Sequence, residues 1–209
     1  MSDGKLPFTL DDETRGLAAM AYGEASPAND EKEIYALASV LERQRVARGY
    51  TSIMEFATSD RTFSFVTSDG NPRYVSLMSA SEKEIAGNKG MSLAISAAKN
   101  ARAGGIDYSN GAYFWDGSDI QSRYDKHFKV RNGIKISSPE HNVYGISDST
   151  KLVILKKTTK KKVNGKLVSE TIEIGRYDHV YESTAGYGGT IFWKQSDAYL
   201  QVTKAKPYK

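Results

Sequence analysis

The hydrophobic spacing of this chain changes character once along its length. Before Gly104-Gly105 apolar residues recur at helical intervals, and after Leu152 they fall into short β-type runs. A chain that segregates the two patterns builds an α+β fold, not a regular alternation of strand and helix. Thr9-Leu10-Asp11-Asp12 has the form of a capped helix start, acidic residues fill the first turn, and Leu17, Met20, Ala21 and Glu24 follow at helical spacing. Glu24 therefore lies on or beside the apolar face. Beyond Ser26-Pro27, Asp30-Glu31-Lys32-Glu33 repeats the capping pattern, and Ile34, Leu37, Ala38, Leu41 and Arg45 form a stripe that runs to Gly49. Ser52-Ile53-Met54-Glu55 opens a third helix. Ser81-Glu82-Lys83-Glu84 opens a longer stretch, with breaks expected at Gly87 and Gly90, that stops at Gly104-Gly105.

In the second half, Leu152 to Leu155 and Val168 to Ile174 flank Val163-Asn164-Gly165-Lys166, and Asn-Gly is the strongest short-range hairpin signal. This predicts a lysine-rich β-hairpin. The aromatic and glycine-rich stretch from Tyr177 to Tyr199 reads as short strands and loops returning to the core. With neither an internal repeat nor a low-complexity linker, residues 1–209 read as one α+β unit.

The 209 residues include no cysteine, which excludes disulfides, thiol nucleophiles and cysteine-based zinc sites. A net charge of +4 favours an acidic partner. Much of the excess sits in Lys156-Lys157-Thr158-Thr159-Lys160-Lys161-Lys162, which lacks the arginines and interleaved aromatics of a nucleic-acid face and reads first as a solvated strand edge. No apolar run at the start resembles a signal peptide and none is long enough to span a membrane. The expectation is a protein made in the cytoplasm, without a membrane span.

No pair among His127, His141 and His179 has the i, i+4 spacing or the close carboxylate that makes a metal or triad motif, so no metal or cofactor is expected. Gly186-Tyr187-Gly188-Gly189 lacks the partners of a phosphate loop. Glu24, in Ala21-Tyr22-Gly23-Glu24-Ala25, stands out instead. A helix C-terminus disfavours negative charge and apolar surroundings disfavour ionisation, so a glutamate held there is a candidate general acid. One that swings into solvent is only a helix end.

Ala21-Tyr22-Gly23-Glu24-Ala25, Ala36-Leu37-Ala38-Ser39-Val40-Leu41-Glu42-Arg43, Phe63-Ser64-Phe65 with Asp69-Gly70, Ala97-Ala98 with Asp107, and Gly111-Ala112-Tyr113-Phe114 occur in this order. Together they resemble the SleB-type cell-wall hydrolases, the spore-cortex lytic enzymes and their relatives, over residues 17–116. The resemblance implies a lysozyme-like, mostly helical catalytic core at 17–116, with residues 117–209 as a β-rich extension packed on it. It implies cleavage of peptidoglycan glycan strands by Glu24 as acid/base, in the manner of a lytic transglycosylase. Phe63, Ser64 and Tyr113 would line the substrate cleft.

This chain departs from the family at Leu41-Glu42-Arg43, where Leu-Asn-Arg is usual, and its last ninety or so residues match nothing in the family pattern. A muramidase would need a second acid, for which Glu42, Asp69 and Asp107 are the candidates. The other readings are a non-catalytic glycan- or protein-binding module on the same frame and, more remotely, a nucleic-acid-binding protein. A wall-cleaving enzyme without a leader would be delivered as an antibacterial effector or by a phage lysis system. In the effector case an inhibitor or immunity protein is the expected partner.

Overall fold

The computed structural model describes residues 10–60 and 70–209. The first helix, α1 (Asp12–Glu24), starts where Asp11 accepts a hydrogen bond from the Thr14 amide, and α2 (Glu31–Arg48) starts where Asp30 accepts from the Glu33 amide. Gly49, at φ 81°, terminates α2 in the left-handed conformation that suits glycine. Ser52 caps α3 (Ile53–Ser59). Asn71 caps α4 (Pro72–Ser79), whose proline sits at the first turn, where no amide donor is needed. Ser81 and Glu84 form a reciprocal capping box on α5 (Glu82–Gly87), and Asn88 then caps α6 (Lys89–Arg102). The expected break thus falls at Gly87-Asn88, while Gly90 continues within α6.

Gly90 marks a close approach. A Cβ there would lie 2.6 Å from Asn29 Oδ1 and 2.9 Å from the Tyr22 ring, on the helix that carries Glu24. Gly90→Ala is therefore expected to destabilise the fold by about 1–3 kcal/mol through overpacking, despite alanine's better helix propensity. Urea denaturation checks this, and a neutral or stabilising result would mean that Asn29 and Tyr22 give way freely.

Among the described residues the remaining α-helices and strands are β1 (Phe114–Asp116), α7 (Asp119–Ser122), α8 (Phe128–Asn132), β2 (Ile134–Lys135), β3 (Val153–Val163), β4 (Lys166–Tyr177), β5 (Tyr181–Tyr187), β6 (Thr190–Gln195) and α9 (Asp197–Thr203). The chain is thus an α+β protein. Four strands form a sheet in the order β1-β6-β5-β2, with β2 parallel to β5 and the other pairs antiparallel. β3 and β4 pair with each other as the expected hairpin. Asn164 (φ 50°) and Gly165 (φ 78°) supply the two left-handed residues of its turn. The lysines of β3 are exposed, with Lys161 reaching Glu170 at 2.8 Å.

Among the described residues two cores flank the sheet. The larger joins α1–α6 through Leu17, Met20, Leu37, Leu41, Phe56, Leu77 and Ala98, and includes Ala185 and Phe192 from β5 and β6. The smaller holds Ile120, Val130, Ile134, Val180, Tyr181, Ile191 and Trp193. Successive residues of a strand point to opposite faces, so β6 sends Phe192 into the helical core and Ile191 and Trp193 into the other. Burial on both faces makes β6 the spine of the fold, and β1, paired to it, carries the end of the helical segment onto the sheet. Among the described residues no helix is long and apolar enough to cross a membrane.

Candidate active site

Glu24 is the last residue of α1, a helix with no basic residue in its final turn to offset the negative end of the helix dipole. The chain beyond it is clamped. Asn71 Nδ2 donates to the Gly23 carbonyl at 3.0 Å, and Arg73 donates to the Ser26 carbonyl and to Asn29 Oδ1, both at 2.7 Å. The Arg73 guanidinium also lies over the Tyr22 ring, 3.9 Å from its centre. The carboxyl group is therefore aimed by contacts on both sides of it in sequence.

Opposite stands β1. Strand alternation sends Phe114 towards the smaller core and Trp115 towards the helical one, where the Trp115 indole donates to Glu24 Oε2 at 3.0 Å. Both residues line a cleft of about 420 Å³ with Gln44 and Arg48 of α2, Tyr113, Asp116, Gly117, Asp119, Lys129 and Thr190. Burial pushes the Glu24 carboxyl up to about 7; the Trp115 hydrogen bond opposes this and the negative charge of Asp119 reinforces it. Glu24 thus holds a proton near neutral pH while facing an open cleft. That is the property of a general acid.

The cleft wall beside Glu24 rests on a second glutamate. Glu33, fully buried, accepts from the Ser26 amide (3.2 Å) and hydroxyl (2.6 Å), the Gly189 amide (3.0 Å) and the Thr190 hydroxyl (2.8 Å). It ties the segment after Glu24 to the β5–β6 turn. Gly188, at φ 55°, admits no side chain there, since a Cβ would meet Glu33 Oε2 at 2.4 Å.

Asp116 is buried and pairs with Lys129 at 2.8 Å, and His127 Nε2 stands 3.4 Å from an oxygen of Asp116 and of Asp119. Among the described residues the donor atoms of these two aspartates and His127 lie within 4.8 Å of one another. The charge already has an answer in the Lys129 ammonium, which occupies the same Asp116 oxygen that His127 faces. The donor set is thus a poor fit for a cation.

Of the residues singled out in the sequence, Glu24 and Tyr113 line this cleft together. Glu42 does not. Arg45 takes both of its oxygens, at 2.8 and 2.6 Å, and it lines depressions apart from the Glu24 cleft. Asp107 is likewise turned to structure, ion-paired to Arg43 and accepting from Ser109 and the Gly111 amide. Burial pushes the Asp107 carboxyl up, but its hydrogen bonds with Ser109 and Gly111 and the Arg43 charge outweigh this and hold it below the usual range. Neither residue is placed to act with Glu24. Asp69, Phe63 and Ser64 lie outside the described residues.

The sequence reading missed Asp116, Asp119 and Lys129 as cleft residues and His127 as the neighbour of the two aspartates. Its one local signal was Trp115-Asp116-Gly117-Ser118-Asp119, an aromatic and two carboxylates in a short run. His127 joins them only through the turn of chain between α7 and α8. Comparison with known proteins adds no assignment, since no family model, curated protein or solved structure matches the chain.

Proposed function

We propose that this protein cleaves the glycan strand of peptidoglycan on a lysozyme-like frame, with Glu24 as the acid that protonates the leaving glycosidic oxygen. The observation that carries the reading is the Glu24 carboxyl, withdrawn from water, held by the Trp115 indole and protonated up to about pH 7 at the wall of an open cleft. The resemblance of residues 17–116 to the SleB-type hydrolases supplies the substrate class. Tyr113, Phe114 and Trp115 offer the cleft aromatic surface of the kind that packs on sugar faces.

The indole has a further consequence. Its nitrogen can only donate, so Oε2 accepts, and because a carbonyl oxygen is the better acceptor this favours Oε1 as the oxygen that carries the Glu24 proton. Protonation of the glycosidic oxygen leaves an oxocarbenium-like centre, which either a sugar hydroxyl or water then captures. A non-catalytic glycan-binding module would have no use for a carboxyl kept neutral at the cost of its solvation, and this favours the enzyme.

The test is release of soluble fragments from purified peptidoglycan, followed by mass spectrometry across pH 4–9. Release is expected to fall as pH rises through about 7, because the ionised Glu24 has no proton to give. Absence of fragments at every pH would overturn the reading.

A further inference from the structure

Among the described residues three carboxyl groups line the Glu24 cleft, and the structure treats each differently. Glu24 is withdrawn and paired with an indole. Asp116 is buried against the Lys129 ammonium, so its charge is neutralised in place. Asp119, the first residue of α7, keeps more than half of its side chain in solvent, at 59% exposure, with its Oδ2 braced 3.4 Å from His127 Nε2. Its charge reaches Glu24 and favours the protonated form there. One cleft thus holds a neutral carboxyl in a dry setting and a charged one in a wet setting, the division of labour of an acid and a base.

We infer that Asp119 is the second carboxylate of this cleft and activates the water that attacks the anomeric carbon, making the reaction a hydrolysis and not the closure of an anhydro ring. The inference rests on Glu24 being the acid. As the glycosidic bond breaks, Glu24 passes its proton to the leaving oxygen. The water oxygen bonds to the anomeric carbon, and the proton it sheds goes to Asp119. Solvent then returns a proton to Glu24 and removes one from Asp119, so that the net change is addition of one water across the bond. No metal, oxidant or cofactor enters the balance.

The experiment compares the parent with Asp119→Asn, Asp119→Ala and Glu24→Gln on purified peptidoglycan, with and without sodium azide, reading the chain ends by mass spectrometry. Because Asp119 is exposed at a helix start, both variants are expected to fold, which circular dichroism checks. The parent should release reducing muramic ends, and both Asp119 variants should lose about 100-fold or more of the rate. Azide, a nucleophile that needs no base, should restore part of the Asp119→Ala activity and leave glycosyl azide ends.

Anhydro-muramic ends from the parent with full activity in Asp119→Asn would overturn the role of Asp119. Loss of fragments in Glu24→Gln in that same experiment would leave the Glu24 reading standing. Loss in both Asp119 variants with no azide product would also overturn it, assigning Asp119 a structural part. Absence of fragments from the folded parent would remove the cleavage reading and this inference with it.

Discussion

Glu24→Gln is expected to abolish fragment release, by about 10³-fold or more, while making the folded protein more stable at pH 8. Glutamine keeps the size of the side chain and an oxygen for the Trp115 indole, yet has no proton to deliver to a leaving oxygen. The gain in stability follows from linkage. The folded protein retains the Glu24 proton up to about pH 7, whereas the unfolded chain gives it up near the ordinary value of 4.5. Between those values the folded state binds more protons, so stability falls as pH rises through the interval, and above it the full cost of ionising a withdrawn carboxyl is present.

The shift sets an upper bound of about 3 kcal/mol, which water in the open cleft reduces to about 2 kcal/mol. The variant escapes this cost at pH 8 and loses its advantage below about pH 4.5. Urea unfolding of both proteins at pH 4 and pH 8 measures the difference. A variant that is inactive and less stable at pH 8 would mean that the carboxylate is stabilised where it stands, against the acid role.

Glu33→Ala is expected to destabilise the protein by about 3–5 kcal/mol, as removal of one member of a buried charged network does. Four donors converge on this fully buried carboxylate, from Ser26, Gly189 and Thr190. Alanine leaves them in a site too confined to rehydrate freely. Glu33→Gln retains the volume and one acceptor oxygen, so its cost should fall between that of alanine and none. Chemical denaturation gives both values. A cost below about 1 kcal/mol for alanine would mean that the β5–β6 turn separates from α2 and lets water in. Because Ser26 follows Glu24 closely, fragment release should fall with stability in the alanine variant even under conditions where it remains folded.

The two glutamates illustrate how differently a sequence reports its residues. Glu24 was legible, because its position depends on the phase of one helix, and Asp11, Leu17, Met20 and Ala21 set that phase locally. Glu33 was legible only as part of a capping pattern at the start of α2. The structure uses the backbone amide of Glu33 for that cap, with Asp30 as acceptor, and sends its side chain to a turn more than 150 residues away. Glu42 misled for a related reason. A carboxylate beside one arginine and a turn from another is read in sequence as either a site or a surface pair, and only the fold shows that Arg45 closes on it.

Caps, turns and periods are local, acting within four or five residues, and so the sequence by itself determined α1, α2, the Ser81 capping box, the Asn164-Gly165 hairpin turn and the candidacy of Glu24. Which groups surround Glu24 was decided by tertiary structure alone. Trp115 reaches it because β1 pairs with β6 and because strand alternation turns the indole towards the helices. Asp119 and His127 meet because two short helices fold back beside that strand. Such meetings arise from side chains that share burial while remote in sequence, a property of packing that no local pattern records.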